Sequence, residues 1–233
     1  MGRTAVFGHR GSPDRATGVT ENTLAAFRRS RRLGADGVEL DVRTTADGAL
    51  AVHHDPVIPG VGPVVDLAAA DLPGSVPLLG AALDACDGLV VNIEVKNLPG
   101  QVGFDPGDRI AGLVVDLVRA AGRSSDVVVS SFWPATLAAV READPDLPTG
   151  LLLASWFDPD EALAVALDHR CTAVHPHVDL VSAPFVAGAH RAGLAVAAWT
   201  ADDRTTLEAV ARAGVDSVIT DDVALARSVV GGP

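Results

Sequence analysis

The sequence predicts an α/β fold: a single-domain (β/α)8 barrel of the TIM type over residues 1–233. Three observations point there. Short apolar runs alternate with amphipathic segments along the whole chain, about eight times, and strands alternating with helices imply a parallel sheet. No GxGxxG turn follows any run, which favours a closed barrel over a doubly wound sheet. No linker-like stretch divides the chain, and its 233 residues sit just below the length of about 250 usual for such a barrel.

The elements follow in order. Residues 4–8 form a short apolar strand with His9-Arg10-Gly11 at its C-terminal edge. A polar loop over 12–20 leads to Glu21-Asn22-Thr23, which opens an amphipathic helix. Leu24, Phe27 and Leu33 take its apolar side; Arg28, Arg29, Arg31 and Arg32 form a solvated face. Thr20, Asn22 or Thr23 can cap it, and Gly34 ends it. The second strand spans 37–42. Ala46-Asp47-Gly48 is a turn, and 49–52 leads into His53-His54-Asp55. Residues 57–77, rich in Gly and Pro, read as an irregular excursion over one end of the fold. A helix over 78–86 and a strand over 89–95 follow. Helices over about 108–121, 135–142, 158–168, 183–192, 205–213 and 222–230 then alternate with strands over 127–131, 149–153, 172–175, 195–200 and 217–220.

Composition narrows the function. Hydrophobic residues make up 48% of the chain and aromatics 4%, with no Tyr, so the core is aliphatic. A net charge of −12 argues against nucleic acid or an anionic membrane as a partner. It leaves room for a small phosphorylated ligand, because a local cation inverts the field at one site. Cys86 and Cys171 read as buried free thiols. There is no secretory leader pattern and no uncharged apolar run long enough for a bilayer, so a soluble cytoplasmic protein is expected.

Residues 37–42 are the centre of the chemistry. Glu39 and Asp41 share one face of a strand, with Cα atoms about 6.5 Å apart. Two unpaired carboxylates on a buried face are costly, so a divalent cation, an Arg or a Lys must sit between them. Three other apolar runs end in similar groups: His9-Arg10, His53-His54-Asp55 and Glu94-Val95-Lys96. In a barrel, function sits at the C-terminal ends of the strands. His9, Arg10, Glu39, Asp41, His54, Glu94, Lys96, Ser131, His175 and Trp199 all fall there.

Glu39, Asp41 and Glu94 could hold a hard cation, and oxygen-only ligation suits Mg²⁺, Ca²⁺ or Mn²⁺. Arg10 and Lys96 could grip a phosphate. His9 and His54 titrate near neutrality and suit a general acid and a general base. Together they describe chemistry at a phosphoryl oxygen. His53 reads as structural and Asp55 as an orienting neighbour. Glu21 and Asn22 read as a helix start or as support for Arg10. Ser131-Phe132 reads as rim packing, and Asp202-Asp203 and Asp221-Asp222 as helix N-caps.

The order HRG, ENT, GADGVELDVRTTADG, HHD, IEVK, SF, AWT and GVDSVITD, from His9 to Asp221, resembles the glycerophosphodiester phosphodiesterase family. The resemblance implies a metal-dependent phosphodiesterase that splits a glycerophosphodiester into sn-glycerol 3-phosphate and an alcohol. It implies Glu39, Asp41 and Glu94 as metal ligands, and His9 and His54 as the acid–base pair. Arg10 and Lys96 match phosphate-binding positions, and Trp199 a wall of the substrate pocket. His175 is a further substrate-contact candidate. The family often has Pro where this chain has Thr20, and the stretch 56–63 is short and uncharged here. Two other readings are a related enzyme that cyclises, releasing the alcohol from a lysophospholipid, and a barrel that binds a phosphodiester without turning it over.

Overall fold

The computed structural model describes residues 3–230. β1 (Ala5–Gly8), α1 (Leu24–Arg32) and β2 (Gly37–Thr44) open the chain. β3 (Leu50–Val52), the short pair β4 (Val57–Ile58) and β5 (Gly62–Pro63), and α2 (Leu79–Ala85) come next. The alternation then runs β6 (Val90–Val95), α3 (Arg109–Ala120), β7 (Val127–Ser131), α4 (Pro134–Ala143), β8 (Thr149–Leu153) and α5 (Pro159–Asp168). It closes with β9 (Ala173–Pro176), α6 (Ala183–Arg191), β10 (Ala195–Ala198), α7 (Arg204–Ala213), β11 (Ser217–Thr220) and α8 (Val223–Val230).

Eight of these strands run parallel in the order β1-β11-β10-β9-β8-β7-β6-β2, and pairing of β1 with β2 closes the ring. This is the (β/α)8 barrel expected. Two details differ from the expectation. The second strand continues to Thr44 and pairs antiparallel with β3, because the turn at 46–48 folds the chain straight back. The tenth stops at Ala198, and Trp199 beyond it keeps only an isolated parallel bridge to His177. The excursion over 57–77 contains the β4–β5 pair and two short 3₁₀ turns.

Alternation along each strand separates packing from chemistry. On β2, Val38, Leu40 and Val42 face outward into an aliphatic layer with Phe27, Leu79, Leu83, Ile93 and Val114. The intervening Glu39, Asp41 and Arg43 take the opposite face, and all three are buried. A second layer packs Leu151, Leu153, Val174, Val196 and Val218 against Phe185, Leu207 and Val223. Both layers lie between strands and helices, leaving the barrel mouth to polar groups. Thr23 caps α1 by accepting from the Ala26 N–H at 3.2 Å. Asp203 and Asp222 cap α7 and α8, as expected. Cys86 and Cys171 are free and buried. No helix of the described residues is long and apolar enough to cross a membrane.

Candidate active site

The register between β2 and β6 assembles the acidic centre. Glu39 lies opposite Asn92, and Asp41 opposite Glu94. Oxygen atoms of Glu39, Asp41 and Glu94 lie within 4.8 Å of one another, and all three residues are buried. The backbone at His9-Arg10-Gly11 turns sharply beside them. Arg10 adopts a φ of 50° and Gly11 a φ of 84°. This aims the Arg10 N–H at Glu39 Oε2, 2.8 Å away. A Cβ on Gly11 would come within 2.8 Å of Ala26, so only glycine fits that corner.

The Glu21-Asn22-Thr23 segment is more than a helix start. Asn22, itself at φ 55°, donates to Asp41 Oδ2 at 2.7 Å and accepts from the Asp41 N–H at 3.2 Å. Glu21 accepts from Arg10 Nη1 at 2.7 Å. Lys96 Nζ lies 3.0 Å from Asp41 Oδ1 and also contacts Glu94 Oε1, while Arg10 Nε lies 3.3 Å from Asp41 Oδ2. Two of the three carboxylates are therefore already ion-paired within the protein.

The pairing does not exhaust the acidic charge. Glu39 Oε1 is buried with no hydrogen-bond partner. Burial and the neighbouring Asp41 push the Glu39 carboxyl up to about 8. Burial would raise Asp41 too, but Lys96 and Arg10 hold it down at about 2. Burial also raises Glu94, against the pull of Lys96. One positive charge is still wanted at Glu39, and three hard oxygens from three side chains fit a divalent cation there.

Each histidine stands beside a carboxylate. His9 Nδ1 is 2.9 Å from Asp221 Oδ1, and His54 Nδ1 is 2.7 Å from Asp55 Oδ1. Both pairs engage Nδ1 rather than Nε2. Their environments push them apart. Burial opposes charge on His9, yet the hydrogen bond to Asp221 and the field of Glu39 outweigh it, so its pKa rises. Burial lowers His54, and the positive Lys96 lowers it further.

These groups line one cavity of about 190 Å³: His9, Arg10, Glu39, His54, Glu94 and Lys96 with Asn92, Phe132, Leu152, Trp199 and Ile219. Phe132 and Trp199 meet edge to face with centroids 5.7 Å apart. A larger cleft of about 790 Å³ runs between the β2–β3 hairpin and α3. It shares Lys96 with the smaller cavity but holds none of the three carboxylates and neither histidine, so the smaller one is the candidate site.

Most of the expected residues line this smaller cavity; Asp41 does not but clusters with Glu39 and Glu94, while His175 stands apart. Its side chain is buried, its Nδ1 has no partner, and it is absent from the cavity lining. The ring occupies the space that a Cβ on Gly150 would need, 2.4 Å from Nε2, and burial lowers its pKa to about 4. Its backbone carbonyl accepts from Trp199 Nε1 at 2.7 Å, so His175 supports the Trp199 wall through its backbone. Ser131 donates to the Val95 carbonyl at 3.0 Å and is a packing residue, as read from the sequence.

Sequence reasoning missed Asp221 and Asn92. Asp221 looked like a helix cap beside Asp222. Its position one residue past the end of β11 is the same strand-end signal that marks His9. Asn92 sits two residues before Glu94, on the same strand face, and that spacing marks it too.

Residues 9–225 match the glycerophosphoryl diester phosphodiesterase family model. A glycerophosphodiester phosphodiesterase from Caldanaerobacter subterraneus subsp. tengcongensis is 32% identical over 240 residues, covering 94% of this chain and 95% of that protein. The crystal structure of a glycerophosphodiester phosphodiesterase from Parabacteroides distasonis superimposes with a TM-score of 0.86 at 22% identity, covering 98% and 97% of the two chains. A phosphodiesterase from Oleispira antarctica, solved in complex with the product sn-glycerol-3-phosphate, gives 0.85 at 21% identity over 99% and 98%. The chain belongs to the glycerophosphoryl diester phosphodiesterase family and is a phosphodiesterase.

Proposed function

We propose that this enzyme hydrolyses glycerophosphodiesters to sn-glycerol 3-phosphate and an alcohol, with His9 and His54 as acid and base. The observation that carries the reading is a cluster of three buried carboxylates, two of which line one small cavity together with two cationic side chains and two carboxylate-paired histidines.

Glu39, Asp41 and Glu94 would hold a divalent cation, Mg²⁺, Ca²⁺ or Mn²⁺, which supplies positive charge to the phosphate oxygens when bound. Arg10 and Lys96 grip the same phosphate, Arg10 through its fork and Lys96 as a point charge. His54, whose pKa is lowered, is neutral near pH 7 and takes a proton from the attacking water at Nε2. His9, whose pKa is raised, gives its Nε2 proton to the departing alkoxide as the P–O bond breaks. The water oxygen ends on phosphorus, and the released alcohol carries the His9 proton. Asp221 and Asp55 fix the two rings. Trp199 and Phe132 wall the cavity.

The test is phosphorus NMR of glycerophosphocholine incubated with the enzyme and Mg²⁺ or Ca²⁺. A monoester signal is expected from the first turnover. Accumulation of a cyclic phosphate would overturn the water attack, and no turnover of any glycerophosphodiester would overturn the whole reading.

A further inference from the structure

Arg43 is a buried cation that neither the metal site nor the phosphate grip uses. It follows Glu39 and Asp41 on the same face of β2, two residues beyond the second carboxylate, and is 6% exposed. Its hydrogen bonds all go to neutral oxygens. Nε donates to the His54 carbonyl at 2.8 Å, Nη2 to Gln101 Oε1 at 3.1 Å, and Nη1 points at the Lys96 carbonyl at 3.5 Å. The carboxylates of Asp41, Asp55 and Glu94 partly offset the burial of the Arg43 charge, while its hydrogen bonds tie three separate segments together.

The segment it holds needs holding. His53, His54 and Asp55 lie outside any strand or helix. The His53 N–H is tied to the Asp41 carbonyl at 3.0 Å, and His53 Nδ1 closes on the Asp55 carbonyl at 2.8 Å. The His54 ring is fixed by Asp55, but Asp55 sits on the same loop, so this contact orients the ring without placing it. The Arg43 fork links the His54 backbone directly to the strand that carries Glu39 and Asp41. A guanidinium can do this because its donors diverge in one rigid plane; an ammonium offers a single point.

We infer that Arg43 is a positioning residue for the reaction, setting the distance of His54 from the Glu39–Asp41–Glu94 centre through its hydrogen bond to the His54 carbonyl. The inference rests on His54 acting in catalysis, as proposed above. It makes β2 the common ruler of the site: successive residues of one strand face hold the two carboxylates and the loop of the base.

The experiment compares Arg43→Lys, Arg43→Ala and Gln101→Ala with the wild type, under saturating Mg²⁺ and glycerophosphocholine. Misplacement of a catalytic group by about 1 Å costs on the order of 10²-fold in rate. Arg43→Lys, which keeps the charge, is therefore expected to lose roughly ten- to a hundred-fold in kcat with KM changed less than about threefold. Arg43→Ala is expected to regain activity with added guanidinium at concentrations below those that unfold it, and not with methylammonium. Gln101→Ala keeps the His54 contact and should stay within about threefold of wild type, since it leaves the base in place.

Calorimetric unfolding of each variant separates folding from function. Arg43→Lys with unchanged kcat per folded molecule would overturn the inference. So would a Gln101→Ala loss as large as that of Arg43→Lys, because the loop over Gln101 would then be what Arg43 holds. A wild-type enzyme inactive on glycerophosphodiesters would instead sink the proposed function, and the two failures are distinct.

Discussion

Asn22→Ala should be among the most damaging single changes in a residue outside the cavity lining. Asn22 is buried and makes two hydrogen bonds to Asp41. The bond to the carboxylate, at 2.7 Å, is charge-assisted and worth about 1.5–3 kcal/mol; the bond from the Asp41 N–H is worth about 1 kcal/mol. The residue also sits at φ 55°, where alanine costs about 1 kcal/mol more than asparagine. The sum is about 3.5–5 kcal/mol, reduced because Arg10 Nε stays near Asp41 Oδ2. A loss of about 3 kcal/mol is expected in urea unfolding followed by circular dichroism. Asn22→Gly removes the same hydrogen bonds but tolerates the left-handed backbone, so it should recover about 1 kcal/mol. A loss below about 1 kcal/mol in Asn22→Ala would show that Asp41 does not depend on this clamp, and the reasoning would fail.

Three further outcomes are expected. The profile of kcat/KM against pH should be bell-shaped, because the proposed reaction needs neutral His54 and protonated His9. Its acid limb should lie below 6.5, where His54 gains a proton, and its alkaline limb above 6.5, where His9 loses one. Asp221→Asn removes the charge that favours protonated His9, so the alkaline limb should move to lower pH while the acid limb stays; a fixed alkaline limb would remove Asp221 from this role. Gly150→Ala should destabilise by about 1–3 kcal/mol through collision with the His175 ring, and the penalty should shrink when His175 is also alanine; equal penalties in both backgrounds would show that the ring is not the obstacle.

The barrel could be read from the sequence because each of its strands has a local signature. A parallel strand buried on both faces is a short apolar run, and the amphipathic helix after it is visible in the same window. The acids and histidines could be read because they interrupt those runs at their ends, where a barrel gathers them. Partner choice was beyond such local patterns. Asp221 and Asp222 are adjacent and chemically identical, yet one pairs with His9 and the other caps α8, and only the closure of β11 onto β1 separates them. His175 has the right residue type at the right strand end, yet it sinks into the space left by Gly150, a neighbour 25 residues away. Arg43 read as one charge in a motif; its three acceptors lie 11, 53 and 58 residues further along the chain. Asn22 was half legible. Its place before a capping threonine explains a helix start, but its grip on Asp41 depends on α1 docking beside β2.

The carboxylate centre is tested most directly by stripping the enzyme with EDTA and following glycerophosphocholine hydrolysis as Mg²⁺ or Ca²⁺ is returned, with Glu39→Gln alongside. Stripped wild type should be inactive and should recover saturably with added cation, while Glu39→Gln should recover little at any concentration. Undiminished turnover in the presence of the chelator, or full recovery of Glu39→Gln at the wild-type cation concentration, would contradict a cation held by Glu39, Asp41 and Glu94.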